Sequence, residues 1–285
     1  MRGEGRGARG EGARQAAPWR APRSRALTVL LLCAFGATPV PTPRSSQASA
    51  YDELTAAQKG VVDAGGQVFF TRAVPDAAWP RAFVYRVIDA SPEQAAAVFV
   101  DYEDHASFIP DLTKSQVSRR IDPTTVDVDY TLAVPVLSDE DYTVRDHVSS
   151  YDGGASYRVE WTMVRASSTK AIEGGVRFEP HGGTRESPRT LMAYQNFVIP
   201  GSRLAGLGFI RSRALGQMQA TAEAIARRVE MERTTRRSLL DRQVAALRDE
   251  GATGASGEIS ARIHVLCRGV DVRVTSGANE KIAGR

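Results

Sequence analysis

Residues Thr190 to Val229 read TLMAYQNFVIPGSRLAGLGFIRSRALGQMQATAEAIARRV. Thr190 to Ile199 is rich in aromatic and β-branched residues, the composition of a strand. Pro200 and Gly201 end it, because proline cannot donate to a ladder and glycine tolerates turn angles. Ser202 is placed to cap the helix that follows. Leu207, Ile210, Ala214, Leu215, Met218, Ala222, Ile225 and Val229 then recur mostly at three- and four-residue steps, with Arg and Gln between them. That spacing predicts one long amphipathic helix whose apolar stripe needs a broad surface to lie on.

The upstream chain offers such a surface. Arg81 to Asp89 reads as a strand, and Gln67 to Arg72 as a strand or edge segment. Ser91, Pro92 and Gln94 give a cap, a first-turn proline and a capping box for a short helix, with Ala95, Val98 and Phe99 on its buried side. Asp101 to Ser107 reads as a second short helix, and Tyr51 to Gly60 as a weak first one. Beyond Pro110 the apolar period becomes two, through Val117–Ile121, Val126–Val134, Tyr142–Val148, Tyr157–Met163 and Val176–Phe178. Strands joined by short turns pair antiparallel, so an α+β fold is expected, with six to seven strands wrapped on the long helix. Past Val229 a thinner stripe of Leu239, Leu240, Val244 and Leu247 carries the helix toward Arg248.

The chain has 285 residues and a net charge of +4, but residues 1–50 hold eight Arg and two Glu, leaving −2 for the rest. The basic character therefore belongs to the leader, and a nucleic-acid partner loses its main support. An Arg-rich start, the apolar run Ala26 to Ala37 and small residues up to Ala48-Ser49-Ala50 read as a signal peptide cut before Tyr51. An exported protein, periplasmic or extracellular, is expected. Without the leader the remaining cysteine is Cys267, so no internal disulfide forms. His105, His147, His181 and His264 show no metal-ligand spacing and read as surface or strand residues. No metal or cofactor is expected. Residues 51–80 make an N-terminal segment, 81–248 the main domain, and 249–285 a linker and a tail that alternates at Ile263–Cys267 and Val270–Val274.

Three stretches carry a family resemblance: Val87-Ile88-Asp89-Ala90-Ser91-Pro92-Glu93 with Val98-Phe99, Asp101-Tyr102-Glu103 to Phe108-Ile109-Pro110, and Tyr194 to Pro200 with its helix. At these residues the chain resembles the START-like superfamily, in particular its bacterial polyketide cyclase/dehydrase and coenzyme Q-binding members. The resemblance covers about residues 80–230 and is specific for fold rather than chemistry. It implies a helix-grip fold, a curved sheet around the long helix, with a cavity between them for a hydrophobic small molecule. Phe108, Tyr130, Trp161, Met163, Phe178, Tyr194, Phe197, Ile210 and Met218 are the candidate lining, and Arg145, Glu160, Gln195 and Asn196 the polar candidates. Alternation gives the two faces of each strand but not which one points inward.

The first functional reading is non-catalytic binding or transport of a lipid, quinone or polyketide-like molecule; the alternative is a cyclase, aromatase or dehydratase. Adjacent Asp146 and His147 point to opposite faces of a strand, and Asp101 with His105 reads as a surface pair, so no catalytic residue is nominated. A third reading gives the basic helix beyond Val229 transient contact with a membrane or protein partner. Glu230, Glu232 and Asp241 interrupt its charge, which suits a solvated face instead. The oligomeric state is not legible.

Overall fold

The computed structural model describes residues 48–134, 138–201 and 208–252. The leader, the Ser202 cap and the alternating tail lie outside them. A 3₁₀ turn, Ala50–Glu53, leads to α1 (Ala56–Asp63), which Thr55 and Gln58 close with a capping box. Strands β1 (Val68–Arg72) and β2 (Arg81–Ile88) precede α2 (Pro92–Phe99), whose Ser91–Gln94 box forms as its sequence dictates. A 3₁₀ helix, Tyr102–Ser107, follows. Then come β3 (Leu112–Asp122), β4 (Thr125–Leu132), β5 (Glu140–Tyr151), β6 (Ser156–Ala166), β7 (Ala171–Gly183) and β8 (Pro188–Ile199). Helices α3 (Gly208–Thr235) and α4 (Arg237–Ala252) close the described chain.

The strands form one antiparallel eight-stranded sheet in the order β1-β2-β8-β7-β6-β5-β4-β3. The fold is α+β, as expected, but has one strand more than six to seven. The addition is β1, an edge strand paired with β2, whose Phe70 ring stacks on Phe83 at 5.0 Å and on Tyr85 at 5.8 Å. Those stacks supply what a short edge strand lacks in backbone partners.

The sheet is also drier than a one-sided surface. Its inner face packs on α2 and α3 in the main core, where Val84, Val128, Val176, Phe178 and Val229 are fully buried. Its outer face, over β1, β2 and β8, carries a second core in which Ala50, Leu54 and Val62 cover Tyr85, Val87 and Leu191. β2 is consequently buried almost throughout, and its alternation is masked.

The predicted continuous helix to Arg248 breaks instead. Thr234 and Thr235 turn their hydroxyls back onto the carbonyls of Glu230 and Met231, and Arg236 leaves the helix. The break lets α4 fold onto α2, burying Leu240 and Leu247 in the main core. Arg248 clamps Glu93 with two hydrogen bonds of 2.5 Å, and Gln243 Nε2 donates to Asp101 Oδ2 at 2.8 Å.

The outer core reaches back before Tyr51. Ala50 is fully buried, and its N–H donates to Glu179 Oε2 at 2.8 Å, the oxygen that also accepts from Ser49 Oγ. Hydrogen bonds to a largely buried carboxylate are worth about 2 kcal/mol each. A chain starting at Tyr51 is therefore expected to melt several degrees below one starting at Ser49, read by thermal denaturation of the two proteins.

Candidate functional site

Alternation fixes the inner face once one residue is placed. Tyr130, Asp146, Trp161 and Tyr194 point inward from β4, β5, β6 and β8, toward α3. Between the sheet and the first half of α3 lies a cavity of about 290 Å³, near the small end for ligand sites. Its existence follows from how α3 is seated. All the buried residues of the helix, from Met218 to Glu232, lie in its C-terminal part, whereas Ile210 and Ala214 are only partly covered and Phe209 is 62% exposed. Polar contacts hold the free half: Arg213 pairs with Asp111 at 2.7 Å, and Gln217 Nε2 donates to the Pro110 carbonyl at 2.9 Å.

Of the nine nominated residues, Tyr130, Trp161, Tyr194, Ile210 and Met218 line this cavity. The other four do not. Phe108 stands edge-on to His105 at 5.6 Å, with the Arg228 guanidinium over its ring at 5.5 Å. Met163 packs at the margin of the main core, and Phe178 is sealed within it beside Phe99, 6.0 Å between centroids. Phe197 falls on the outward phase of β8, under the Arg81 guanidinium at 5.1 Å. Among the polar candidates only Asn196 faces the cavity, where its Oδ1 accepts from Trp161 Nε1 at 3.2 Å. Arg145 is clamped outside by Asp127 at 2.8 and 3.1 Å, and Glu160 and Gln195 line a separate hollow on the outer face.

Trp161 needs Gly174 beneath it. A Cβ there would stand 2.5 Å from the indole and 2.6 Å from the Gln195 carbonyl, so any side chain would push the ring toward the cavity.

The polar groups of the cavity were largely missed by sequence reasoning. His105, expected at the surface, is 2% exposed. Its segment is a 3₁₀ helix, so Asp101, four residues back, does not share its face. His105 Nε2 lies 2.7 Å from the Phe99 carbonyl and must donate to it; Nδ1, 3.1 Å from Tyr130 Oη, is then the acceptor. Burial pulls the imidazole pKa down to about 4, so it stays neutral. Asp146 is 3% exposed, and its Oδ2 has no hydrogen-bond partner. Desolvation, reinforced by the Asp127 carboxylate, raises its pKa well above the usual carboxylate range. Burial likewise raises the pKa values of Tyr130, Tyr142 and Tyr194 above that of a free phenol. The result is a donor-rich stretch of wall on the sheet side of the chamber. The signal for Asp146 was its place in the apolar alternation Tyr142, Val144, Asp146, Val148.

Another hollow, about 280 Å³, lies between α4 and the 3₁₀ helix. Arg120, Arg236 and Arg242 stand on its wall, with Arg228 bonded to Asp104 and Glu232, and Gln243 to Asp101. Among the described residues no group of three or more His, Cys, Asp or Glu could hold a metal ion, and no helix is long and apolar enough to cross a membrane.

Residues 82–230 match the family model described as polyketide cyclase/dehydrase and lipid transport. No curated protein matches in sequence. Among solved structures, the STAR-related lipid transfer protein of Xanthomonas axonopodis is 15% identical over 58% of this chain and 94% of its own, with a TM-score of 0.49. A Streptomyces aromatase/cyclase is 14% identical over 53% and 94%, with a TM-score of 0.43. Human StAR-related lipid transfer protein 5 is 12% identical over 58% and 83%, with a TM-score of 0.47.

Asp146 gives the site a pH signature. Because its folded pKa is raised, the folded state keeps a proton that the unfolded chain loses above about pH 4, so stability falls as pH rises. Asp146→Asn is expected to raise the denaturation midpoint at neutral pH by an amount equivalent to about 1–3 kcal/mol. The gain should shrink toward pH 4, which urea titrations at the two pH values would show.

Proposed function

Because the chain belongs to the polyketide cyclase/dehydrase and lipid transport family of START-like proteins across residues 82–230, we propose that it binds a hydrophobic small molecule in its inner cavity, as a carrier working outside the cytoplasm. The observation that carries this reading is the space left between the sheet and the unseated half of α3. Apolar area buried there contributes about 25 cal/mol per Å² before the costs of association. A cavity of 290 Å³ suits one ring system or a short chain better than a two-chained lipid. Export is supported by the leader sequence alone: an Arg-rich start and an apolar run too short to span a bilayer.

A cyclase or dehydratase reading has one observation in its favour, the proton that Asp146 holds inside the cavity, which suits a general acid. Its partner base is harder to find. Both nitrogens of His105 are engaged, by the Phe99 carbonyl and Tyr130, and its low pKa makes it a weak acceptor. Binding without turnover fits these residues better.

Extraction of the purified protein with organic solvent, followed by mass spectrometry, is expected to release a stoichiometric apolar compound, or the protein to take one up from a lipid panel. Ala214→Trp should reduce uptake at least tenfold by filling the chamber while leaving the melting temperature within a few degrees. Unaltered uptake by that variant would place the ligand elsewhere. Full-length protein expressed in a bacterial host should be recovered outside the cytoplasm without its leader; an uncleaved cytoplasmic product would overturn export.

A further inference from the structure

We infer that the cavity selects a neutral ligand whose head accepts hydrogen bonds, such as a ketone, quinone or ester oxygen, and turns away the corresponding free acid. This deepens the carrier reading and rests on it. Asp146 lines the cavity from the middle of β5, 3% exposed, with Oδ2 lacking any partner. An unpartnered buried carboxyl costs stability, and a ligand oxygen is the acceptor that would complete it.

The surroundings of Asp146 agree from every side. Tyr142 on its own strand, Tyr130 on β4 and Tyr194 on β8 line the same cavity beside its carboxyl. Tyr130 is committed to His105, whereas Tyr142 and Tyr194 hydroxyls have no hydrogen bond among the described residues. Trp161 lies opposite on β6 and spends its N–H on Asn196. From α3 come Gln217, bonded to the Pro110 carbonyl, and Arg213, whose charge is spent on Asp111. Behind the wall stands the Asp127 carboxylate, and Glu140 lies among the cavity residues, bonded to Ser168 and Thr169.

Among the described cavity residues the one Lys or Arg is Arg213, paired with Asp111, so an anionic head would be a desolvated charge without a partner beside the Glu140 carboxylate. A neutral oxygen would meet three donors: the Asp146 carboxyl proton and the Tyr142 and Tyr194 hydroxyls. Held acceptors of this kind exclude competitors more sharply than apolar walls do, because a wrong head leaves buried donors unpaired.

The test uses three ligands of matched chain length, a methyl ketone, the hydrocarbon and the fatty acid, each displacing Nile red from the purified protein near neutral pH. The ketone is expected to bind about tenfold tighter than the hydrocarbon, the worth of roughly one net hydrogen bond, and at least as much tighter than the acid. Asp146→Asn, which keeps a donor, should hold that preference within about threefold, and Asp146→Leu should erase it. Tyr194→Phe removes one hydroxyl with little change of shape and should cut the preference about threefold, which keeps the test sound if the leucine variant fails to fold. An acid binding as well as the ketone, or a preference surviving both Asp146→Leu and Tyr194→Phe, would overturn the inference while leaving the carrier intact. Displacement by none of the three would overturn both.

Discussion

The seating of α3 governs this molecule. A curved sheet presents a concave face that a straight helix can meet closely over only part of its length. Here the meeting point is the C-terminal half, where Ala222, Ile225 and Val229 are fully buried on the inner core. Arg228 fastens the same half by bonding Glu232 one turn on and Asp104 in the 3₁₀ helix. From Met218 back toward Gly208 the helix stands off, and a hollow remains that no side chain fills. The cavity and its polar wall depend on that divergence.

The two faces of β4 and β5 treat charge in opposite ways. Outside, Asp127 is clamped by Arg145, and Asp129 accepts from Thr143 and Arg165, so each carboxylate has donors at hand. Inside, next to Arg145 on β5, Asp146 has none for Oδ2. The outer pairing also sharpens the inner isolation, since the Asp127 charge makes ionising Asp146 harder still. A single alternation of backbone direction therefore yields an ion-pair ladder on one side and an unionised acid on the other.

Much of this was legible in the chain because local signals agreed. The Ser91–Gln94 box, the period-two strands and the Pro200-Gly201 stop each stand where the letters put them. What was hidden depended on long-range pairing. Whether Phe197 or Tyr194 faces inward is settled by the register of β8 against β2 and β7, which strand composition does not contain. His105 looked solvated because its neighbours Glu103 and Asp104 are polar; its burial comes from Phe99 and Tyr130 arriving from α2 and β4, and from Phe108 at the end of its own turn. The break at Arg236 was masked by a stripe that continues in phase, since Leu240 and Leu247 serve α2 rather than the sheet. Asp146 was visible as the one acid in an apolar row, yet an odd letter in a strand shows its meaning only when its face is known.

A rod gripped at one end is a lever. Swinging the loose arm of α3 breaks the Arg213–Asp111 and Gln217–Pro110 ties and a few partly covered contacts, while every ladder bond of the sheet and the whole gripped end stay in place. Passage of a guest by that route would cost those ties and contacts alone and leave the sheet intact.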